Sequence, residues 1–253
     1  MMNTIDETFI DQVLKDDINK FRRKLDLKPV KNIMSKWMHS PDQVLLAFPS
    51  WYAEEKSDWP ANCVFTGFPI TRSEESQSLS DEVREFLKAG KPLVFTAGSA
   101  MAHSKKFFAV AVEATSRLNS RAILVSNFKN VIPESLPANI MHTAYEPFDL
   151  LFKEAAVVIH HGGIGTSAQA LSNGAPQLVV PFAHDQFDNA FRLKQHSVAL
   201  SAKDISTSSW VALLQELLKN QNTKDRCLKY SDLINQAQPA TSEAADAIEK
   251  LNQ

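Results

Sequence analysis

Hydrophobic positions change their period along the chain. Ile10, Val13, Leu14, Ile18, Phe21 and Leu25 recur at helical spacing, with Lys15, Asp16, Lys20, Arg22 and Lys24 opposite them. This pattern predicts a surface helix with a solvated polar face. Residues 20–36 are rich in Lys and Arg, so a helix lying on a membrane is the second option. A short helix is expected over residues 30–38, and Val44-Leu45-Leu46-Ala47-Phe48 reads as a buried strand ended by Pro49. No period holds over residues 51–69, where Ser57, Pro60, Asn62 and Gly67 interrupt, and residues 72–82 are polar and Ser-rich. That stretch reads as an interdomain connection.

Beyond it the pattern is regular. Apolar runs at residues 92–97, 121–125, 140–143, 155–159, 177–180 and 198–200 predict strands. Helical segments are expected at 105–118, 165–171 and 186–196, and three more at 210–219, 223–236 and 242–251. Continuously apolar strands alternating with helices mean a parallel sheet covered on both faces. The fold class is therefore α/β, a doubly wound parallel sheet over roughly residues 80–220. In such sheets ligands bind beyond the carboxyl ends of the strands, so the residues just after each strand carry the chemistry.

Composition narrows the classes of function. The 253 residues hold 27 Lys+Arg against 29 Asp+Glu, and 44% are hydrophobic. This argues against a disordered chain and a strongly basic nucleic-acid binder. No apolar run approaches the roughly 18 residues of a membrane-spanning helix, and the start, MMNTIDETFIDQ, lacks the apolar core of a secretory signal. The two cysteines, Cys63 and Cys227, are far apart in sequence and read as free thiols. A cytoplasmic protein is expected, with a peripheral membrane position as the alternative.

Three of only seven glycines fall in His160-His161-Gly162-Gly163-Ile164-Gly165-Thr166, between a strand and a helix. Glycines admit a ligand close to the backbone, and the free N–H groups of a helix's first turn bind anions. The spacing fits neither a Walker A loop nor a dinucleotide fingerprint, and a tight strand-to-helix turn is the bland alternative. His161 adds a donor at the mouth of the turn. Adjacent strand residues face opposite ways, so His160 and His161 do not form a metal pair.

Asp185 and Gln186 follow the next strand in Pro181-Phe182-Ala183-His184-Asp185-Gln186-Phe187-Asp188-Asn189. A carboxylate beside an amide suits sugar hydroxyls, although capping of the next helix explains the pair equally. Tyr145, in Tyr145-Glu146-Pro147-Phe148, either stacks on a flat base or packs. Gly98-Ser99 follows the first strand of the sheet and offers a hydroxyl and N–H groups to a phosphate.

Taken in order, these four clusters resemble the C-terminal, donor-binding half of GT-B nucleotide-sugar glycosyltransferases. Thr66-Gly67-Phe68-Pro69 and Phe95-Thr96-Ala97-Gly98-Ser99-Ala100 look closest to the rhamnosyltransferase and sterol glucosyltransferase branch. The resemblance covers about residues 60–253 and is strongest from Tyr145 to Asn189. It implies a remnant of an acceptor-binding domain at 1–60, a linker at 61–80 and a nucleotide-sugar donor-binding domain at 81–253. By motif, Tyr145 would stack on the base and His161 would bind the diphosphate. Gly163, Gly165 and Thr166 would form the phosphate turn, with Ser99 facing them. Asp185 and Gln186 would hold the donor sugar. Many members carry a ribose-binding Glu eight residues after the histidine, where this chain has Gln169.

The implied reaction is inverting, metal-independent hexosyl transfer from a UDP- or dTDP-sugar to an acceptor hydroxyl, with no further cofactor. The acceptor, whether lipid, sterol or small molecule, is not fixed by the sequence. The catalytic base belongs to the family's N-terminal domain, and none of the seven histidines stands at its position. The family's C-terminal helix packs back onto that domain. No catalytic residue is therefore expected in this chain, and either an acceptor-domain subunit or a homo-oligomer is expected to complete it. The alternatives are a non-catalytic nucleotide-sugar-binding subunit and a nucleotide-sugar 2-epimerase.

Overall fold

The computed structural model describes residues 6–98 and 101–251. Two compact units divide the chain: Met1–Gly67 with Thr241–Gln253, and Phe68–Ala240.

In the first unit, a single π-helical turn, Asp6–Ile10, leads into helix α1, Asp11–Lys24. Polar side chains of α1 fix the segment after it. The Asp11 carboxylate accepts from the backbone N–H groups of Asn32 (2.8 Å) and Ile33 (3.1 Å). Asn19 donates to the Val30 carbonyl (2.9 Å) and accepts from the Val30 N–H (2.7 Å). These clamps hold Asn32 in the left-handed region, at φ +54°, so the expected helix over 30–38 shrinks to one π-turn, Ile33–Trp37. They also decide which face of α1 is covered. Asp11 and Asn19 are buried, whereas Val13 and Phe21 of the apolar stripe stay 74% and 63% exposed. Strand β1, Val44–Leu46, pairs in parallel with β2, Cys63–Phe65, inside the stretch without period.

The second unit is built on six parallel strands: β3 (Leu93–Thr96), β4 (Ala122–Val125), β5 (Ile140–Thr143), β6 (Val157–His160), β7 (Gln177–Val179) and β8 (Ala199–Ser201). Their order is β5-β4-β3-β6-β7-β8. The sheet is wound outward in both directions from the β3–β6 pair. β3, β4, β6 and β7 are buried throughout, which is why they read as predominantly apolar runs.

Alternation splits the core in two. On one face Leu93, Phe95, Leu124 and Ile159 pack with helices α3 (Met101–Arg117) and α7 (Thr207–Lys219). There the Phe107 and Trp210 rings meet edge to face at 5.0 Å, and each buried aromatic contributes about 1.5–3 kcal/mol. On the other face Val94, Ile123 and Val158 meet Val83 of α2 (Asp81–Leu87), Leu151 of α4 (Phe148–Leu151) and Ala170 of α5 (Ile164–Ser172). Further helices of this unit are α6 (Gln186–Gln195) and α8 (Gln221–Gln236), while α9 (Ala240–Lys250) belongs almost wholly to the first unit. Among the described residues no helix is long and apolar enough to cross a membrane.

Candidate functional site

The register places Thr143, Val125, Thr96, His160 and Val179 in one row across β5, β4, β3, β6 and β7. Residues just beyond this row therefore share the carboxyl edge of the sheet. Winding reverses between β3 and β6, so their carboxyl ends flank the crevice where doubly wound sheets take ligands.

Gly98 and His161 stand on either side of that crevice. Gly98 adopts φ +61°, and a Cβ built there would overlap the His161 ring. A Cβ on Gly163 would come within 2.5 Å of His161 Nε2. Two glycines thus make the slot in which the imidazole lies. His161 Nδ1 is buried and has no hydrogen-bond partner among the described residues. Burial pushes the His161 pKa below the usual 6.5, against the upward pull of the Asp185 carboxylate.

His160 points the other way. It is fully buried, accepts from the Gly162 N–H at Nδ1 (3.1 Å), and so carries its proton on Nε2, 2.8 Å from Gln177 Oε1. Burial drives its pKa down to about 3. This histidine shapes the turn and does not face the crevice.

The turn then enters α5. Gly163 is the N-cap and has no side chain with which to cap, so the first-turn N–H groups remain for another acceptor. A Cβ at Gly165 would meet nothing within 4 Å. Thr166 is partly exposed on the same turn. Open space over uncapped amides, beside an imidazole, suits an anion such as a phosphate.

Asp185 and Gln186 close the loop after β7. His184, just before them, sits in the left-handed region at φ +56°. Gln186 Oε1 accepts from the backbone N–H groups of Phe182 (2.8 Å) and Ala183 (3.1 Å), so its amide staples the loop and retains its Nε2 donors. Asp185 does not cap α6. Its Oδ2 accepts instead from Asn189 Nδ2 at 2.9 Å, and the same nitrogen donates to the Gly162 carbonyl at 2.9 Å. The loop is packed directly on the glycine turn, where a Cβ at Gly162 would come within 2.8 Å of Val179 and 3.1 Å of the Gln186 carbonyl. His161, Gly163, Gly165, Thr166, Asp185 and Gln186 therefore share one stretch of the edge.

Tyr145 follows β5, three strands from β6 or about 14 Å at normal strand spacing. Its side chain is 67% exposed. The loop bearing it is held by Glu146, a residue sequence reasoning passed over. The buried Glu146 carboxylate accepts from the Ser80 N–H (3.1 Å) and hydroxyl (2.6 Å). Gln169 lies in the second half of α5 and donates from Nε2 to the Thr71 carbonyl (2.9 Å). It lines a cleft of about 370 Å³ with Arg72, Asp149, Lys153 and Asn235. Ser99 lies outside the described residues. Both cysteines are free, and burial raises the Cys227 thiol to about 12.

The doubly wound sheet has the fold of the C-terminal half of GT-B glycosyltransferases. Residues 112–251 match the model of the erythromycin biosynthesis protein CIII-like C-terminal domain, and the chain belongs to that family. It is 29% identical over 188 residues to O-mycaminosyltylonolide 6-deoxyallosyltransferase of Streptomyces fradiae, covering 72% of this chain and 43% of that protein. It is 26% identical over 229 residues to a sterol 3-beta-glucosyltransferase of Leptosphaeria maculans, covering 85% of this chain and 16% of the relative. The chain thus spans less than half the length of either. The solved glycotransferase of kitacinnamycin superimposes with a TM-score of 0.80 at 19% identity, over 99% of this chain and 64% of that one.

Proposed function

We propose that this protein binds a UDP- or dTDP-sugar along the carboxyl edge of its sheet and presents it for inverting, metal-independent hexosyl transfer. The observation that carries the reading is the convergence of His161, the uncapped amides of α5 and the Asp185 carboxylate at the β3–β6 crevice. The diphosphate would lie over Gly163, Gly165 and Thr166. Tyr145 would take the base and Gln169 the ribose. Asp185 and the Nε2 donors of Gln186 would hold the sugar hydroxyls.

In the transfer itself an acceptor oxygen bonds to the anomeric carbon from the face opposite the leaving group. The bond from that carbon to the diphosphate breaks, its electron pair leaves with the nucleoside diphosphate, and the acceptor's proton passes to a general base. Charge develops on the leaving phosphate, where fixed N–H donors and His161 stabilise it without reorganising. Asp185 and Gln186 supply orientation. The base and the acceptor site belong to an N-terminal domain. Two features of the first unit support a docking place for it: the parallel β1–β2 pair, too small to cover its own faces, and the exposed stripe of Val13, Phe21 and Leu25.

The experiment is thermal unfolding with UDP or dTDP in EDTA. Ligand at about 100 times its dissociation constant stabilises by roughly 2.7 kcal/mol. No shift at millimolar nucleotide removes the reading's main support.

A further inference from the structure

We propose that Asn189 is a positioning residue that clamps the Asp185 carboxylate to the glycine turn, so that the sugar-holding and phosphate-binding parts of the site form one rigid piece. The inference rests on the donor-binding reading and adds a residue and a division of labour to it.

Asn189 is 5% exposed, in the first turn of α6. One nitrogen serves two acceptors, the Gly162 carbonyl and Asp185 Oδ2, both at 2.9 Å. Two acceptors fix which end of the carboxamide carries the hydrogens. Few side chains could replace it. Asp has no hydrogen to give, Ser has one, and Gln is a methylene longer. The two acceptors lie 27 and 4 residues away in sequence, so the clamp spans β6 and β7.

The clamp explains how Asp185 is used. An exposed aspartate at an N-cap position ordinarily turns its carboxylate onto its own helix. Here no capping bond forms, and one carboxylate oxygen is taken by Asn189. Oδ1 is then the oxygen left to accept from a ligand hydroxyl. Loop closure does not depend on Asp185, because Gln186 Oε1 already staples Phe182 and Ala183. Without Asn189 the exposed carboxylate is free to sample other rotamers, and the buried Gly162 carbonyl loses its donor.

The test is calorimetry on the full chain with UDP and UDP-glucose, and with dTDP and dTDP-glucose. Its readout is the ratio of affinities for sugar nucleotide and bare diphosphate. Asn189→Ala is expected to lower that ratio about 10-fold, the equivalent of one charge-assisted hydrogen bond, while diphosphate affinity stays within about 2-fold. In an Asp185→Ala background the same substitution is expected to leave the ratio unchanged, because it acts through Asp185. If Asn189→Ala does not fold, Asn189→Ser keeps one hydrogen and is expected to lower the ratio by a smaller factor. An unchanged ratio in either folded variant, an equal loss for both ligands, or the full effect without Asp185 overturns the clamp. Failure of the unmutated chain to bind any nucleotide overturns the donor reading and this inference with it, and that failure is visible before any variant is made.

Discussion

The imidazole of His161 occupies the space that a side chain on Gly98 would need. The two residues end neighbouring strands at the point where the sheet reverses its winding, so a change at one is felt at the other. Gly98→Ala is expected to do two things. A residue other than glycine at φ +61° costs about 1–2 kcal/mol of stability. The new methyl also drives the His161 ring from its slot. Calorimetry is expected to show UDP binding weakened in a chain that still unfolds cooperatively.

His161→Ala separates phosphate recognition from base recognition. A hydrogen bond to a charged group contributes about 1.5–3 kcal/mol, so UDP affinity is expected to fall roughly 10- to 150-fold with uridine affinity nearly unchanged. Tyr145→Ala is expected to weaken both ligands, since stacking acts on the base. An equal loss for UDP and uridine in the His161 variant would assign that residue to structure alone.

Gly165 offers a sharper discrimination. Its Cβ position is open and it lies within α5, so alanine fits without strain. Gly to Ala inside a helix stabilises by about 0.5–1 kcal/mol. The same methyl projects into the space assigned to the phosphate. Gly165→Ala is expected to raise the unfolding midpoint and lower UDP affinity. Retained affinity would place the phosphate elsewhere.

His160 makes the fold acid-sensitive. Its pKa is near 3 when folded, against an ordinary 6.5, so the unfolded state takes up the proton first as pH falls. The folded state keeps full stability above about pH 6.5 and loses roughly 1.4 kcal/mol per pH unit below it, down towards the folded pKa. Urea unfolding between pH 7 and pH 5 checks this. In His160→Gln the absolute stability is expected to fall and its slope with pH to flatten over that window.

The sheet was legible because burial on both faces makes its central strands mostly apolar, with Thr96, His160 and Gln177 only at strand ends. β2, α2 and α4 were not: β2 lies among the interruptions at Pro60, Asn62 and Gly67, and helices of seven and four residues are too short to show a period. The buried side of α1 was misread for a different reason. The apolar stripe predicted an inward face, but Asp11 and Asn19 at its flank clamp residues 30–33 and are buried, while Val13 and Phe21 of the stripe stay exposed. At the site, His161, the glycine turn and Asp185 were visible because each follows a strand. Asn189 and Glu146 were not, because a polar residue on a helix or in a loop looks solvated until topology brings its partner to it.

The final prediction concerns transfer. As an isolated chain the protein is expected to bind donor and to move sugar poorly or not at all. General-base catalysis contributes about 10²–10⁴-fold, and none of the seven histidines matches the base position that the resemblance implies. Acceptor positioning contributes as much as about 7–11 kcal/mol of the barrier, and the resemblance assigns it to the acceptor-binding domain. An edge open to water also weakens every electrostatic contact made to the leaving phosphate. The first unit supplies a place to restore what is lacking, since its β1–β2 pair offers strand edges and Val13 and Phe21 of α1, with Leu25 just after it, are exposed. Adding a protein that supplies further parallel strands there is expected to raise transfer, and Phe21→Glu is expected to abolish that gain without changing UDP affinity. The measurement is transfer from labelled UDP- and dTDP-sugars to lipid, sterol and small phenolic acceptors. Turnover by the chain alone at about 1 s⁻¹ or faster, the range of ordinary enzymes, would overturn the half-enzyme reading.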